Sequence, residues 1–164
     1  MSAEMFKIQT YLSFKMSEEV FAINVSKVMN ILEMQHITRV PKTLPYMKGV
    51  INLRGTVLPV VDLRVKFGLP EKEFTVDTSI IVLNIEKEGD PLMLGILVDS
   101  VREVLEFKDE DIAPSPTIGT KYNSGFIQGM YRIDDRFIMI LDIDKVFSVD
   151  DILEVKDYMT HTTV

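Results

Sequence analysis

The sequence predicts an all-β fold made of two small barrels, each with five short strands. Two observations lead to this prediction: two blocks of sequence recur later in the chain, and apolar residues alternate in short runs separated by turn residues. With 164 residues, the chain is long enough to bury a core of its own. Short, bent strands that close into barrels also leave few bare edges.

The repeated blocks indicate an internal duplication. Residues 20–34 align without a gap with residues 93–107, and residues 49–67 align with 129–147. The offset between the copies grows from 73 to 80 residues, and the longer loop at 109–125 absorbs the difference. Two diverged copies of one unit explain both blocks, and chance similarity between apolar strands is the alternative.

Each copy is expected to contribute five strands. In the first copy they fall near residues 8–15, 19–24, 30–35, 49–53 and 56–61, and in the second near 78–85, 92–97, 103–107, 125–133 and 136–141. We expect one domain over 8–159, whose parts are a first barrel at about 15–75, a second barrel at about 76–147 and a C-terminal helix at 148–159. The strand near 8–14 could pack on the second barrel.

Turn and capping residues support these boundaries. Arg54-Gly55 and Asp134-Asp135 occupy the tips of equivalent hairpins, with residue types that tolerate positive φ. Asp62 and Asp142 are expected to cap short helical turns, the first of which ends at Gly68.

The C-terminal helix has its own start signal. Ser148 is the expected N-cap, and Asp151 completes a capping box. The expected buried stripe of this helix consists of Val149, Ile152, Leu153 and Met159.

The composition excludes several kinds of site. The chain has no cysteine, which rules out disulfides, thiolate metal sites and thiol nucleophiles. It has two histidines far apart in sequence and no catalytic or phosphate-binding motif, so we expect no metal, no cofactor and no enzymatic activity. The start of the chain lacks a secretory signal, and no apolar run approaches the roughly 20 residues of a membrane-spanning helix. We therefore expect a cytoplasmic protein without direct membrane insertion.

The net charge of −7 is unevenly distributed. Residues 36–70 contain six basic side chains and one acidic side chain, which gives this segment +5 and leaves −12 for the rest of the chain. So acidic a chain is not expected to bind nucleic acid. The basic segment is either a solvated face or a surface that meets an acidic partner protein.

Two kinds of position suggest binding sites: positions where the two copies differ, and apolar positions beyond those that fill the barrel interiors. Arg54 has an acidic counterpart in the second copy; it could grip a carboxylate, or belong to an ordinary solvated turn. Val25, Val28 and Ile31 can all point one way, and such a stripe is either buried core or one wall of a groove that accepts an amphipathic helix. The matching residues of the second copy are Val98, Val101 and Val104.

Three stretches resemble the CheW family of bacterial chemotaxis coupling proteins. They are PYMKGVINLRGTVLPVVDLRVKFG at residues 45–68, ITRVP at 37–41 and GILVDSV at 95–101. The resemblance extends from about residue 11 to residue 147. It implies two five-stranded SH3-like β-barrels in one CheW-like domain, in agreement with the duplication.

The resemblance also implies a function and partners. Family members are non-enzymatic adaptors that couple the cytoplasmic helical tip of chemoreceptors to the regulatory domain of the histidine kinase CheA. By resemblance, this chain would be a monomer when free and would be recruited to receptor arrays at the membrane. The residues that match the receptor-binding positions are Leu12, Val25, Val28, Ile31, Arg54, Val98 and Val101. Arg54 and Gly55 are also the candidate kinase contacts, and the rest of the kinase surface stays unassigned.

Two other interpretations remain open at this stage. The chain could be the CheW-like regulatory domain of a larger kinase or of a CheV-type protein, in which a coupling domain is fused to a receiver domain. It could also be a β-barrel that binds or converts a small ligand, but that would require a deep polar pocket, which the sequence does not indicate.

Overall fold

The computed structural model describes residues 8–39, 44–113 and 125–160. Within these ranges the fold is mostly β, as predicted. The strands are β1 (Ile8–Met16), β2 (Glu19–Asn24), β3 (Val28–Glu33), β4 (Met47–Leu53), β5 (Thr56–Val61), β6 (Ser79–Lys87), β7 (Asp90–Val98), β8 (Ser100–Lys108), β9 (Ile127–Ile133) and β10 (Arg136–Leu141). The helices are α1 (Leu63–Phe67), α2 (Ile143–Val146) and α3 (Val149–Thr160), and single 3-10 turns lie at Val25–Lys27 and Asp109–Asp111.

Each predicted strand corresponds to one observed strand, with ends that differ by three residues or fewer. The largest difference is at β8, which begins at Ser100 because it pairs with β1 from Lys15 onwards. Most of the predicted loop at 109–125, and residues 40–41 of the ITRVP motif, lie outside the described residues.

The strands form two five-stranded sheets that exchange strands between the halves of the sequence. Sheet 1 has the order β3-β6-β7-β5-β4, and sheet 2 has the order β8-β1-β2-β10-β9. The expected division into barrels at 15–75 and 76–147 is therefore wrong, because β2 belongs to sheet 2 while β6 and β7 belong to sheet 1. The exchange is made by two parallel pairings, β5 with β7 and β10 with β2.

The two sheets correspond strand for strand. Under the offsets of the sequence duplication, β3, β7, β5 and β4 of sheet 1 match β8, β2, β10 and β9 of sheet 2, and the orders are then the same. Even a local detail repeats: Thr38 bridges Val50 beside Gly49, and Ala113 bridges Met130 beside Gly129. This correspondence agrees with a duplicated unit whose first two strands are exchanged.

Strands buried on both faces explain the nearly continuous apolar runs. Along β6, Ile80 and Val82 point into a small cluster within sheet 1, whereas Ile81 and Leu83 point into a central core. Side chains of β1 and β2 in sheet 2 join the same central core. The space between the sheets is therefore occupied by the protein's own side chains, and each sheet also encloses a smaller core.

The predicted hairpin tips and caps are largely present. Arg54 (φ 52°), Gly55 (φ 85°) and Asp134 (φ 54°) all adopt the left-handed conformation required at a tight turn. Asp62 accepts a hydrogen bond from the backbone N–H of Arg64, as an N-cap should. Asp142 occupies the equivalent position but accepts no capping hydrogen bond, so its predicted capping role is wrong.

Helix α3 begins as expected but buries a different face. The Ser148 N–H donates to Asp151 (2.8 Å) and the Asp151 N–H donates to Ser148 Oγ (3.0 Å), which completes the capping box. The buried residues are Ile152 and Val155, whereas Val149 and Leu153 are exposed, so the predicted stripe is wrong in part. One residue per turn is buried because α3 lies against the surface of the core and is not embedded in it.

Candidate functional site

Leu12 and Val98 belong to the interior of the protein and do not form part of an open surface. Leu12 is 3% exposed and Val98 is 1% exposed, and both are members of the central core. Their assignment as direct partner contacts is therefore corrected, because both side chains lie in the core beneath the surface. Sequence reasoning missed this because a strand buried on both faces has no polar side to mark its orientation.

The other predicted apolar residues lie at the margin of this core. Val25, Val28 and Val101 are half-buried and pack against it. Ile31 is 50% exposed and pairs across the strands with Ile81, which is fully buried. Since paired residues point to the same side of a sheet, Ile31 extends the surface of the central core towards solvent.

The duplication identifies a further residue at this margin. Val104 is the counterpart of Ile31 in the second copy, is 59% exposed, and pairs with the buried Leu12. The 73-residue offset already pairs it with Ile31 in the sequence, although it is not among the receptor-binding positions that the family resemblance implies. We call the following residues the apolar face: Val25, Val28, Ile31, Val101 and Val104.

The turn at Val25–Lys27 sets the geometry of one side of the apolar face. Asn24 caps it, with its Oδ1 accepting from the Ser26 N–H at 2.9 Å. The turn carries the chain from β2 in sheet 2 to β3 in sheet 1. It therefore presents Val25 and Val28 at the point where the two sheets meet.

Arg54 lies apart from the apolar face, at the exposed tip of the β4–β5 hairpin. The Gly55 N–H donates to Asn52 Oδ1 at 2.8 Å, which holds the tip in shape. Arg54 makes no hydrogen bond or ion pair with any residue in the described ranges, and it does not belong to the central core. A charged side chain held out in this way is available to a second partner.

The Asp and Arg of the VVDLR segment have a structural role. Arg64 donates from Nε and Nη2 to the two carboxylate oxygens of Asp62, both at 2.9 Å, and from Nη1 to Asp99 at 2.8 Å and to the Lys72 carbonyl at 3.1 Å. Lys48 Nζ lies 3.7 Å from the same Asp62 carboxylate. The hydrogen bonds to Asp62 raise the pKa of Arg64, an effect larger than the lowering caused by burial. Each of these charges has an opposite charge beside it, which accounts for the arrangement as a structural network.

The described ranges contain neither a metal-binding cluster nor a membrane-spanning helix. No group of three or more His, Asp or Glu side chains there is arranged to hold a metal ion. No helix in the same ranges is long and apolar enough to cross a membrane.

The comparisons with known proteins identify the family. The family model of the CheW-like domain matches residues 10–151. This chain belongs to the CheW-like family. It is 33% identical over 143 residues to the chemotaxis protein CheW of Klebsiella aerogenes, a match that covers 87% of this chain and 84% of that protein. It is 35% identical over 136 residues to the chemotaxis protein CheW of Rhizobium meliloti, covering 83% and 85%.

A solved structure agrees with the fold as well. The scaffolding protein CheW of Thermoanaerobacter tengcongensis superposes with a TM-score of 0.78 at 28% identity, covering 92% of this chain and 95% of that one. The resemblance and the all-β fold inferred from the sequence are confirmed. CheW-like proteins are non-enzymatic adaptors of chemotaxis, so the expected class of function is confirmed too.

Proposed function

We propose that this chain links chemoreceptors to the kinase CheA through two separate surfaces. The apolar face receives the cytoplasmic helical tip of the receptor. The hairpin tip at Arg54 and Gly55 contacts the regulatory domain of the kinase. Free in the cytoplasm the protein is a monomer, and receptor binding recruits it to arrays at the membrane.

The exposure of Ile31 and Val104 is the observation that carries the receptor assignment. Both are large apolar side chains, at least half exposed, on strands related by the duplication. Together with the half-buried Val25, Val28 and Val101, they make up an apolar patch of the kind that marks a protein interaction site. An amphipathic helix that lies across the meeting point of the sheets would bury both residues together with Val28.

Separation of Arg54 from the apolar face supports a second partner. Arg54 is charged, exposed and without an internal partner among the described residues, and arginine is enriched at protein interfaces. Its counterpart tip, at Asp134, has the opposite charge, which argues against a purely structural need for a charge at this turn. We therefore assign Arg54 to the kinase and treat a receptor contact by Arg54 as the alternative.

Coupling of the two partners requires that the two surfaces move as one body. The central core contains side chains from both sheets, and Arg64 on α1 is bonded to Asp99 at the end of β7. Such a body fixes the geometry of one partner relative to the other. A conformational preference of the receptor can then bias the kinase through differential contacts.

The receptor assignment is tested by titrating labelled protein with a helical hairpin peptide that carries a chemoreceptor tip sequence. Val28→Asp should weaken binding by about 2–5 kcal/mol because it places a charge in an apolar contact. Val76→Asp is the matched control, since Val76 is almost fully exposed and lies outside the apolar face. Wild-type affinity of a folded Val28→Asp protein would refute the assignment.

The kinase assignment is tested by binding the isolated CheA regulatory domain to the same protein set. Arg54→Ala should weaken kinase binding and leave the affinity for the receptor hairpin unchanged. Val28→Asp should weaken binding of the receptor hairpin and leave the affinity for the kinase domain unchanged. If Arg54→Ala instead weakens only receptor binding, the alternative assignment is correct.

A further inference from the structure

The turn at Val25–Lys27 lies at the surface. None of its three residues is fully buried, but Val25 and the following Val28 pack against the central core. Polar contacts add to this packing in fixing the position of the turn. Besides the Asn24 cap, the turn has one ion pair, in which Lys27 Nζ lies 2.7 Å from Asp144 Oδ2.

Asp144 is held in place by contacts other than this ion pair. It lies on α2 between the core and solvent, and its helix neighbours Ile143 and Val146 are both buried. Asp144 Oδ1 also accepts a hydrogen bond from the Glu86 N–H at 3.0 Å. The ion pair thus connects the turn to α2 and, through Glu86, to β6 of sheet 1.

A comparable contact, displaced by one residue, exists in the other half of the molecule with reversed charges. The 80-residue offset relates Arg64 to Asp144, and the 73-residue offset relates Asp99 to Ser26, the neighbour of Lys27. Both points where the chain crosses from one sheet to the other are therefore held by an ion pair to a short helix. The side chains of Arg64 and Asp99 are 3% and 15% exposed, whereas those of Lys27 and Asp144 are 28% and 29% exposed.

We infer that Lys27 and Asp144 are positioning residues for the apolar face, holding the turn so that Val25 and Val28 are presented to a helical partner. This inference rests on the proposed function. Without the ion pair the turn samples other positions, and a partner must order it on binding. Loss of either charge should lower the affinity about two- to fivefold, the range expected for a partly exposed pair.

The test is a double-mutant cycle on the full chain, with the receptor hairpin peptide as the probe. The variants are Lys27→Gln, Asp144→Asn, their combination and Lys27→Arg. Asparagine at 144 keeps an oxygen that can accept from the Glu86 N–H, so the change removes chiefly the charge. Each single variant should bind about two- to fivefold more weakly, the double variant should bind no more weakly than either, and Lys27→Arg should retain wild-type affinity. The difference between wild type and Lys27→Gln should shrink at high salt, because salt screens partly exposed charges.

A direct contact of Lys27 with the probe would give a different pattern. In that case Asp144→Asn would bind at least as well as wild type, and this result would overturn the inference, as would additive losses in the double variant. The control is the distant pair Lys156 and Asp90, also an ion pair at the surface, in which Lys156→Gln should leave affinity unchanged.

The Val28→Asp variant separates failure of this inference from failure of the proposed function. If Val28→Asp binds like wild type, the assignment of the apolar face as the receptor-binding surface is wrong. If Val28→Asp loses binding while both charge variants keep wild-type affinity, the apolar face remains the receptor-binding surface. The positioning role of Lys27 and Asp144 is then wrong. Unfolding free energies measured in parallel must show that the affinity losses are not caused by a fraction of unfolded protein.

Discussion

Arg64 Nη1 lies 2.8 Å from Asp99 Oδ1, and this contact joins the helix after β5 to the point where the chain leaves sheet 1 for sheet 2. Asp99 also accepts from the Ser17 N–H in the β1–β2 turn of sheet 2, and its own N–H donates to the Lys15 carbonyl at 2.9 Å. One arginine and one aspartate therefore connect both sheets at a single crossing.

Removal of Arg64 should be the most destabilising single change in this network. Arg64→Ala leaves the fully buried carboxylate of Asp62 with only Lys48, 3.7 Å away, to neutralise it. Breaking a buried pair in this way costs about 3–5 kcal/mol, measured as the free energy of unfolding in urea. Arg54→Ala is the control and should change stability little. A loss below about 1 kcal/mol for Arg64→Ala would show that the network is not buried as described.

Gly49 should tolerate no side chain. It adopts φ +148°, and a Cβ there would collide with the carbonyl of Thr38, whose oxygen accepts from the Val50 N–H at 2.9 Å. Gly49→Ala should therefore lower the unfolding free energy by about 2–4 kcal/mol. Gly125→Ala is the matched control, because no described atom outside its chain neighbours lies within 4 Å of its added Cβ. If Gly49→Ala and Gly125→Ala had the same unfolding free energy, this would contradict the close approach of Gly49 to the Thr38 carbonyl.

Acid should weaken the attachment of α3 through Asp151. Burial by itself would raise the pKa of Asp151, but hydrogen bonds from Ser148 and the charge of Lys66 (2.9 Å) outweigh it, so the pKa is lower than in the unfolded chain. A lowered folded-state pKa means that this contribution is complete above the unfolded value of about 4 and is lost as the pH falls through the folded value.

The comparison with Asp151→Asn isolates this effect from other titrating groups. Wild type should be more stable than the variant at pH 6, and the difference in unfolding free energy should stay constant down to about pH 4 and shrink below it, as measured by urea unfolding. A difference that stays constant below this pH as well would mean that Asp151 does not lose its stabilising charge on acidification.

Ile31 and Val104 should contribute equally to partner binding. Ile31→Glu and Val104→Glu each place a charge on one side of the apolar face, and both side chains are already about half exposed, so folding should be little affected. Titration with the receptor hairpin should show a comparable loss of affinity for each. A loss for Ile31→Glu alone would indicate that the helix contacts sheet 1 and not sheet 2.

Much of the local structure could be predicted because its causes are local. The tip at Arg54 and Gly55 needs positive φ, and the capping box at Ser148 and Asp151 is formed by residues three apart. The candidate site was predicted less completely. Leu12 and Val98 have the same residue types as exposed apolar residues, and only packing distinguishes a buried valine from a half-buried one such as Val28.

By itself, the sequence determined the strands, the turns and the existence of two related units, since these depend on periodicity and on the conformational preferences of single residues. The tertiary structure alone decided that β1 and β2 pair with strands of the second half, and that β6 and β7 pair with strands of the first. The physical reason is that the two copies present nearly the same apolar edges, so pairing within a copy and exchange between copies satisfy the same local pattern. The exchanged arrangement is accompanied by long-range contacts such as Arg64 with Asp99, which no local stretch of sequence contains.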